Sequence, residues 1–83
     1  MFYTYVLYDR NSQKFYIGYT ADIERRLREH RLGNVHTTSR FSALELVFYE
    51  CFTSQEDAQR REGYFKTTKG KKSLRLILRD SLR

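Results

Sequence analysis

Apolar and aromatic residues open the chain in a dense block and then thin into stripes. Phe2 to Tyr8 is rich in aromatic and branched side chains, the polar cluster Asp9-Arg10-Asn11-Ser12 interrupts it, and Lys14 to Tyr19 resumes it. That alternation predicts a β-hairpin closed by a four-residue turn. From Thr20 the period changes. Ile23, Leu27 and His30 recur at helical spacing in a segment reaching Arg31, with Gly33 just beyond, and Thr20 is a residue type suited to cap the start. A loop from Asn34 to Phe41 follows. Between Leu44 and Phe52, Leu44, Leu46, Phe48 and Phe52 share one parity and Val47, Tyr49 and Cys51 the other. A strand apolar on both sides is covered on both faces, which predicts the central strand.

Thr53-Ser54-Gln55-Glu56 has the form of a capping box, with the threonine as N-cap and Glu56 reaching back. It predicts a helix running on to about Lys69 and stopped by Gly70. Ser73 is then placed to cap a third helix carrying Leu74, Ile77, Leu78 and Leu82 on one stripe. The order ββαβαα predicts an α+β fold, a small three-stranded antiparallel sheet flanked by about three helices, with residues 1–83 as one domain.

Composition narrows this picture. A chain of 83 residues has room for one hydrophobic core, and 40% hydrophobic with 31% charged residues excludes a disordered tail or a coiled-coil rod. Seven tyrosines and six phenylalanines, with no tryptophan, make that core aromatic. The single Cys51 cannot form an internal disulfide, and no apolar run approaches the roughly 20 residues of a membrane span. Met1-Phe2-Tyr3-Thr4 lacks the basic start of a signal peptide. The expected setting is a reducing cytoplasm, with no membrane partner.

Charge changes the picture more. The net charge is +6, and residues 60–83 alone carry +7, from nine basic and two acidic residues, against −1 for residues 1–59. Such a balance favours polyanionic partners. Lys66-Thr67-Thr68-Lys69-Gly70-Lys71-Lys72 mixes cations, hydroxyls and a glycine between two predicted helices, a composition suited to phosphate oxygens without base reading. A solubilising surface run is the alternative account, and the concentration of charge in residues 60–83 favours phosphate contact.

Several residues have the chemistry of a site. Tyr3, Tyr5 and Leu7 share a face of the first strand and Tyr16 shares its face with Gly18, so the expected turn sets Tyr5 opposite Tyr16. Gly18 weakens a strand and leaves room for another backbone or a ligand. Aromatic preference for strands accounts for the tyrosines equally well, though not for the glycine. Glu62 falls between Ala58 and Phe65 on the second helix's inward stripe, where acids rarely sit unpaired. It is either paired with Lys66 at i+4 or a ligand for a hard divalent cation. Arg26 lies among Arg25, Arg28 and Arg31 on a face that is solvated by default. His30 lies on the apolar stripe itself, where a hydrogen-bonded core histidine is the ordinary case. One Cys and two His, with His36 six residues after His30, fall short of a zinc site.

Taken together these positions resemble the GIY-YIG nuclease superfamily, in particular small stand-alone proteins similar to the N-terminal nuclease domain of the bacterial excision-repair incision protein. The likeness covers nearly the whole chain. Tyr3-Thr4-Tyr5 stands in the place of the first motif, without its glycine and isoleucine, and Tyr16-Ile17-Gly18 is the second motif in full. Thr20, Asp22, Arg26, Leu27 and His30 look like the first-helix pattern, and Ala58 with Glu62 looks like the late helix carrying the metal-binding glutamate. Tyr19 stands where several members place a lysine.

The resemblance implies a DNA endonuclease, structure-directed or weakly sequence-specific, using one divalent ion, Mg²⁺ or Mn²⁺. In that reading Glu62 holds the metal and Arg26 neutralises charge on the scissile phosphate. Tyr5 activates the attacking water, with Tyr16 as neighbour or substitute. A free phenol has a pKa near 10, so Arg26, a metal-bound water and His30 are the groups that would assist. Gly18, Lys66, Lys69, Lys71 and Lys72 are the expected substrate contacts. Many members carry a separate DNA-binding domain that 83 residues cannot hold, so target choice falls to a partner protein, to DNA structure, or to nothing. Two other functions fit the same features: a non-catalytic nucleic-acid-binding module, and an interaction domain whose basic end docks an acidic protein.

Overall fold

The computed structural model describes residues 1–33 and 43–83; the expected loop from Asn34 to Phe41, and His36 within it, lie outside the described residues. Six elements run in the order β1 (Phe2–Asp9), β2 (Lys14–Thr20), α1 (Ile23–Arg31), β3 (Leu44–Phe52), α2 (Gln55–Phe65) and α3 (Thr68–Ile77). The three strands form one antiparallel sheet in the order β2-β1-β3. The α+β expectation and its ββαβαα order hold.

The central strand is β1, not β3. Residues Thr4 to Asp9 are all buried, whereas no residue of β3 is. The two-sided apolar pattern of Leu44–Phe52 has a different origin. Register moves from Val6↔Phe48 to Leu7↔Leu46, so Val47 is a bulge, and one extra residue turns the rest of the strand over. Phe48 packs edge-on to Phe65 of α2, at 6.0 Å between ring centroids, while Leu44 and Leu46 line a cavity with Leu27 and His30 of α1. The shared parity of those three residues therefore does not put them on one face.

The hairpin loop is Arg10 to Gln13, one residue later than the sequence suggests. Asp9 accepts from the Ser12 hydroxyl at 2.6 Å and the Ala43 N–H at 3.0 Å, and Gln13 turns the chain at φ 59°. These bonds hold the Asp9 carboxyl below the usual carboxylate range, the Ser12 hydroxyl contributing most. The one-residue move shifts pairing by two, to Tyr5↔Gly18 and Leu7↔Tyr16. Tyr5 and Tyr16 are thus diagonal rather than opposite, and still on the same face.

Helix ends also differ in detail. Asp22, not Thr20, caps α1, accepting from the Arg25 N–H at 3.1 Å; the Thr20 hydroxyl instead bonds to the Asp22 backbone. Gly33 closes the helix at φ 71°, donating to the His30 carbonyl, as its position suggested. Ser54 rather than Thr53 is the N-cap of α2, without a side-chain cap bond.

Helix α2 stops at Phe65, short of Lys69. The Thr67 hydroxyl donates to the Tyr64 carbonyl at 2.6 Å and accepts from the Gly70 N–H at 3.0 Å, so it ends one helix and caps the next. Ser73, expected as that cap, lies inside α3 and bonds to the Tyr64 hydroxyl at 2.9 Å. Gly70 is the point where α2 and α3 touch: a Cβ there would stand 2.7 Å from the Phe65 Cα. It brings two helices together rather than ending one. Val6, Ile17, Phe65, Leu74 and Leu78 form the core on this side of the sheet, while Ile77 is exposed.

Candidate active site

The other face of the hairpin carries the site. Thr4, Val6 and Ile17 turn towards α2 and α3, so alternation turns Tyr5, Tyr16 and Gly18 towards α1. The helical spacing of Arg26 and His30 then presents both to the sheet. Arg26 Nε donates to the Tyr5 hydroxyl at 3.2 Å, and the same hydroxyl lies 3.0 Å from His30 Nε2. The Tyr16 ring centroid is 6.3 Å from that of Tyr5 and 5.0 Å from that of His30.

Gly18 is the reason Tyr5 fits. It pairs with Tyr5 across the ladder, and a Cβ on it would overlap the Tyr5 ring and hydroxyl. The room expected for a ligand or a second backbone is taken by the phenol of the neighbouring strand. Gly18 is itself buried, so it shapes the site without offering a contact surface.

Electrostatics within the cluster follow from burial. Tyr5 has no exposed surface, and burial pushes its phenol up to about 12 even though the Arg26 bond opposes that rise. Arg26 is held more firmly charged than usual, above all by its bond to Tyr5 and then by Glu29; Nη1 of Arg26 meets Glu29 Oε1 at 3.1 Å. The imidazole of His30 is pushed below its ordinary 6.5, by burial first and the Arg26 charge second. A neutral His30 with its proton on Nδ1 accepts the Tyr5 O–H at Nε2, which leaves the phenol oxygen free to take the Arg26 N–H.

Glu62 is on α2, one turn past Ala58, whose carbonyl accepts the Thr4 hydroxyl at 2.6 Å. It lies close enough to Tyr5 for its charge to raise that phenol further. Its carboxylate is partly exposed and pairs with Lys66 Nζ at 3.1 Å, the partner its i+4 spacing suggested. Among the described residues no group of three or more His, Cys, Asp or Glu side chains converges. Glu62 thus offers its carboxylate without a larger protein ligand cluster around it among the described residues. That suits a hard cation which keeps most of its waters and takes further oxygens from a phosphate.

Lys66 adjoins Glu62, while Lys69, Lys71 and Lys72 are exposed on the first turns of α3 rather than in a loop. Sequence reasoning missed Glu29 as the partner of Arg26, although their i, i+3 spacing on a helix was the available signal. It also did not single out Asp22 as the residue that starts the helix bearing Arg26, a role visible only in the cap geometry.

Comparison with known proteins gives a family match. Residues 1–75 match the family model of the GIY-YIG catalytic domain. A UPF0213 protein of Haloquadratum walsbyi is 37% identical over 67 residues, covering 78% of this chain and 73% of that protein. One from Clostridium perfringens is 32% identical, covering 100% of this chain and 89% of its own length. The solution NMR structure of a UPF0213 protein from Bacillus halodurans superposes with a TM-score of 0.57 at 31% identity, over 93% of this chain and 85% of that one. No helix among the described residues is long and apolar enough to cross a membrane.

Proposed function

The chain belongs to the GIY-YIG catalytic-domain family, and from that membership we propose that it is a metal-dependent endonuclease hydrolysing phosphodiester bonds in DNA. The observation that carries the reading is Tyr5, wholly buried and hydrogen-bonded to Arg26 and close to His30, under a half-buried Tyr16. Burial obliges the Tyr5 hydroxyl to find hydrogen-bond partners, and those it finds, a guanidinium and an imidazole, are groups suited to phosphate chemistry. The arrangement holds a cation and two phenols ready beside an acid.

Roles follow from exposure. Tyr5 has no surface to offer a water molecule, so it positions Arg26 and His30, and Tyr16 is the phenol that meets the nucleophile. The water oxygen bonds to phosphorus while its proton passes to Tyr16 in the phenolate form, and the P–O bond to the sugar breaks, the departing oxygen taking a proton from solvent. Arg26, kept charged by Tyr5 and Glu29, neutralises the non-bridging oxygens as charge builds. Glu62 would hold one Mg²⁺ or Mn²⁺ in exchange for its Lys66 partner, and the ion would supply stabilisation of charge on the departing oxygen. Lys66, Lys69, Lys71 and Lys72 contact flanking phosphates.

The test is cleavage of flaps, forks, nicked duplexes and single strands with Mg²⁺, with Mn²⁺ and with chelator, using the parent and Glu62→Gln. Metal-dependent cutting by the parent and none by the variant, at equal stability and DNA affinity, is the expected result. Full cleavage by Glu62→Gln would remove the metal assignment. The alternative, a non-catalytic nucleic-acid-binding module, draws on the Glu62–Lys66 ion pair and predicts binding by both proteins with no cleavage by either.

A further inference from the structure

Beside the buried phenol of Tyr5 the same sheet face continues onto β3 with an aromatic surface that the proposed chemistry does not use. Tyr49 stands directly across from Tyr5 in the β1–β3 ladder, and Cys51 across from Tyr3. Tyr49 is 53% exposed. Tyr3 buttresses it, the ring centroids 6.1 Å apart and the planes at 57°. Tyr49 is thus an open aromatic ring, buttressed by Tyr3, with no part in the apolar core.

We propose that Tyr49, backed by Tyr3, is a stacking platform for an unpaired nucleobase next to the scissile phosphate, which makes DNA with a single-stranded segment at the cut the substrate. The proposal rests on the nuclease reading and adds to it. Tyr5 lies over Gly18, towards β2, so the reacting phosphate sits on the β2 side and Tyr49 on the β3 side. The two strands are separated by two strand spacings, about 10 Å, a distance that adjacent unstacked nucleotides bridge. Bases inside a duplex have both faces covered, and only an unstacked base can lie on a side chain.

A second copy of this chain is the competing occupant. Edge strand β3 carries Glu45 and Glu50 as well as the Val47 bulge, features that oppose edge-to-edge pairing. The positive charge lies in residues 60–83 rather than on this strand, so it draws nucleic acid to the protein as a whole and the patch itself contributes stacking.

Binding is measured by fluorescence anisotropy in chelator, so that cleavage does not enter, for the parent, Tyr49→Ala and Tyr49→Phe on a single strand and on a blunt duplex of equal length. Tyr49→Ala should lose about 5- to 150-fold in affinity for the single strand, the range for one stacked base, with little change on the duplex. Tyr49→Phe keeps the ring and should retain the parent affinity to within about twofold. An abasic site walked along the strand should weaken the parent at one position, and at that position weaken Tyr49→Ala no further. Parent-like binding by Tyr49→Ala, or equal losses on both DNAs, would overturn the platform and leave the nuclease reading intact. A parent that binds and cuts no DNA would remove both. A parent dimer that Tyr49→Ala converts to monomer, by light scattering, would assign the patch to self-association instead.

Discussion

The two faces of the sheet are built from alternate residues of the same strands and obey different rules. Towards α2 and α3, Val6 and Ile17 meet Phe65, Leu74 and Leu78 in an apolar layer whose strength is burial. Towards α1, Tyr5 and Tyr16 meet Arg26 and His30, and the layer is held by hydrogen bonds to a phenol with no exposed surface. Each face has one glycine where a side chain would not fit, Gly70 at the α2–α3 crossing and Gly18 under Tyr5. Alternation lets one short strand serve stability on one side and chemistry on the other.

The sharpest way to break the comparison is through the two phenols. Tyr16→Phe should lower the cleavage rate about 100- to 10,000-fold, as loss of a general base does, with no change in melting temperature. Tyr5→Phe should also destabilise the fold, by about 1–3 kcal/mol, because Arg26 and His30 lose a buried partner. Rate assays and denaturant titrations on both variants decide it; a destabilised Tyr16→Phe beside a stable Tyr5→Phe would reverse the roles.

The glycines come next in size. Gly70→Ala places a Cβ against helix backbone, which yields little, so a loss of about 3 kcal/mol, the upper part of the overpacking range, is expected. Gly18→Ala meets a side chain instead. It should destabilise by about 1–3 kcal/mol while displacing Tyr5 from Arg26 and lowering cleavage about 100-fold. Equal activity per folded molecule in the two variants would show that the α1 face tolerates the displacement.

Electrostatic effects are smaller. Replacing Lys69, Lys71 and Lys72 together by alanine should leave melting unchanged, since all three are exposed. The log–log salt slope of duplex binding should become shallower by up to about 2.7, at roughly 0.9 per phosphate contact. An unchanged slope would confine phosphate contact to the neighbourhood of Glu62.

The least effect is a pH dependence of stability. His30 titrates below its ordinary 6.5 in the folded state, so the unfolded chain takes up the proton first. Stability is full above about 6.5 and falls as pH drops from there through the folded value. Asp9, whose folded value lies below 3.8, loses its contribution only as pH falls beneath 3.8. Urea titrations between pH 5 and 7 on the parent and His30→Gln isolate the histidine, and a loss of equal size in both proteins would assign it elsewhere.

Local pattern carried most of the element list. The hairpin, the stripe of Ile23, Leu27 and His30, and the span of β3 are set by residues close in sequence, where side-chain period and turn chemistry act directly. The placing of Tyr5 and Tyr16 on one face was legible for the same reason, since parity survives a two-residue error in register, whereas Arg26, on a face solvated by default, meets Tyr5 only through the packing of α1.

What tertiary structure decided was every question of what sits next to what. Parity along Leu44–Phe52 cannot show a bulge at Val47, because a bulge exists only relative to the strand it pairs with. Nor can it show that β1 rather than β3 is enclosed, which depends on where α1, α2 and α3 pack. A glycine between Ile17 and Tyr19 announces that space is needed; only the paired strand shows that Tyr5 fills it. The break at Thr67 likewise depends on a hydroxyl choosing between two backbone groups, settled once Gly70 brings α3 against α2. Sequence specifies each residue's local preference and its side of an element, while contacts between distant segments select among the pairings those preferences allow.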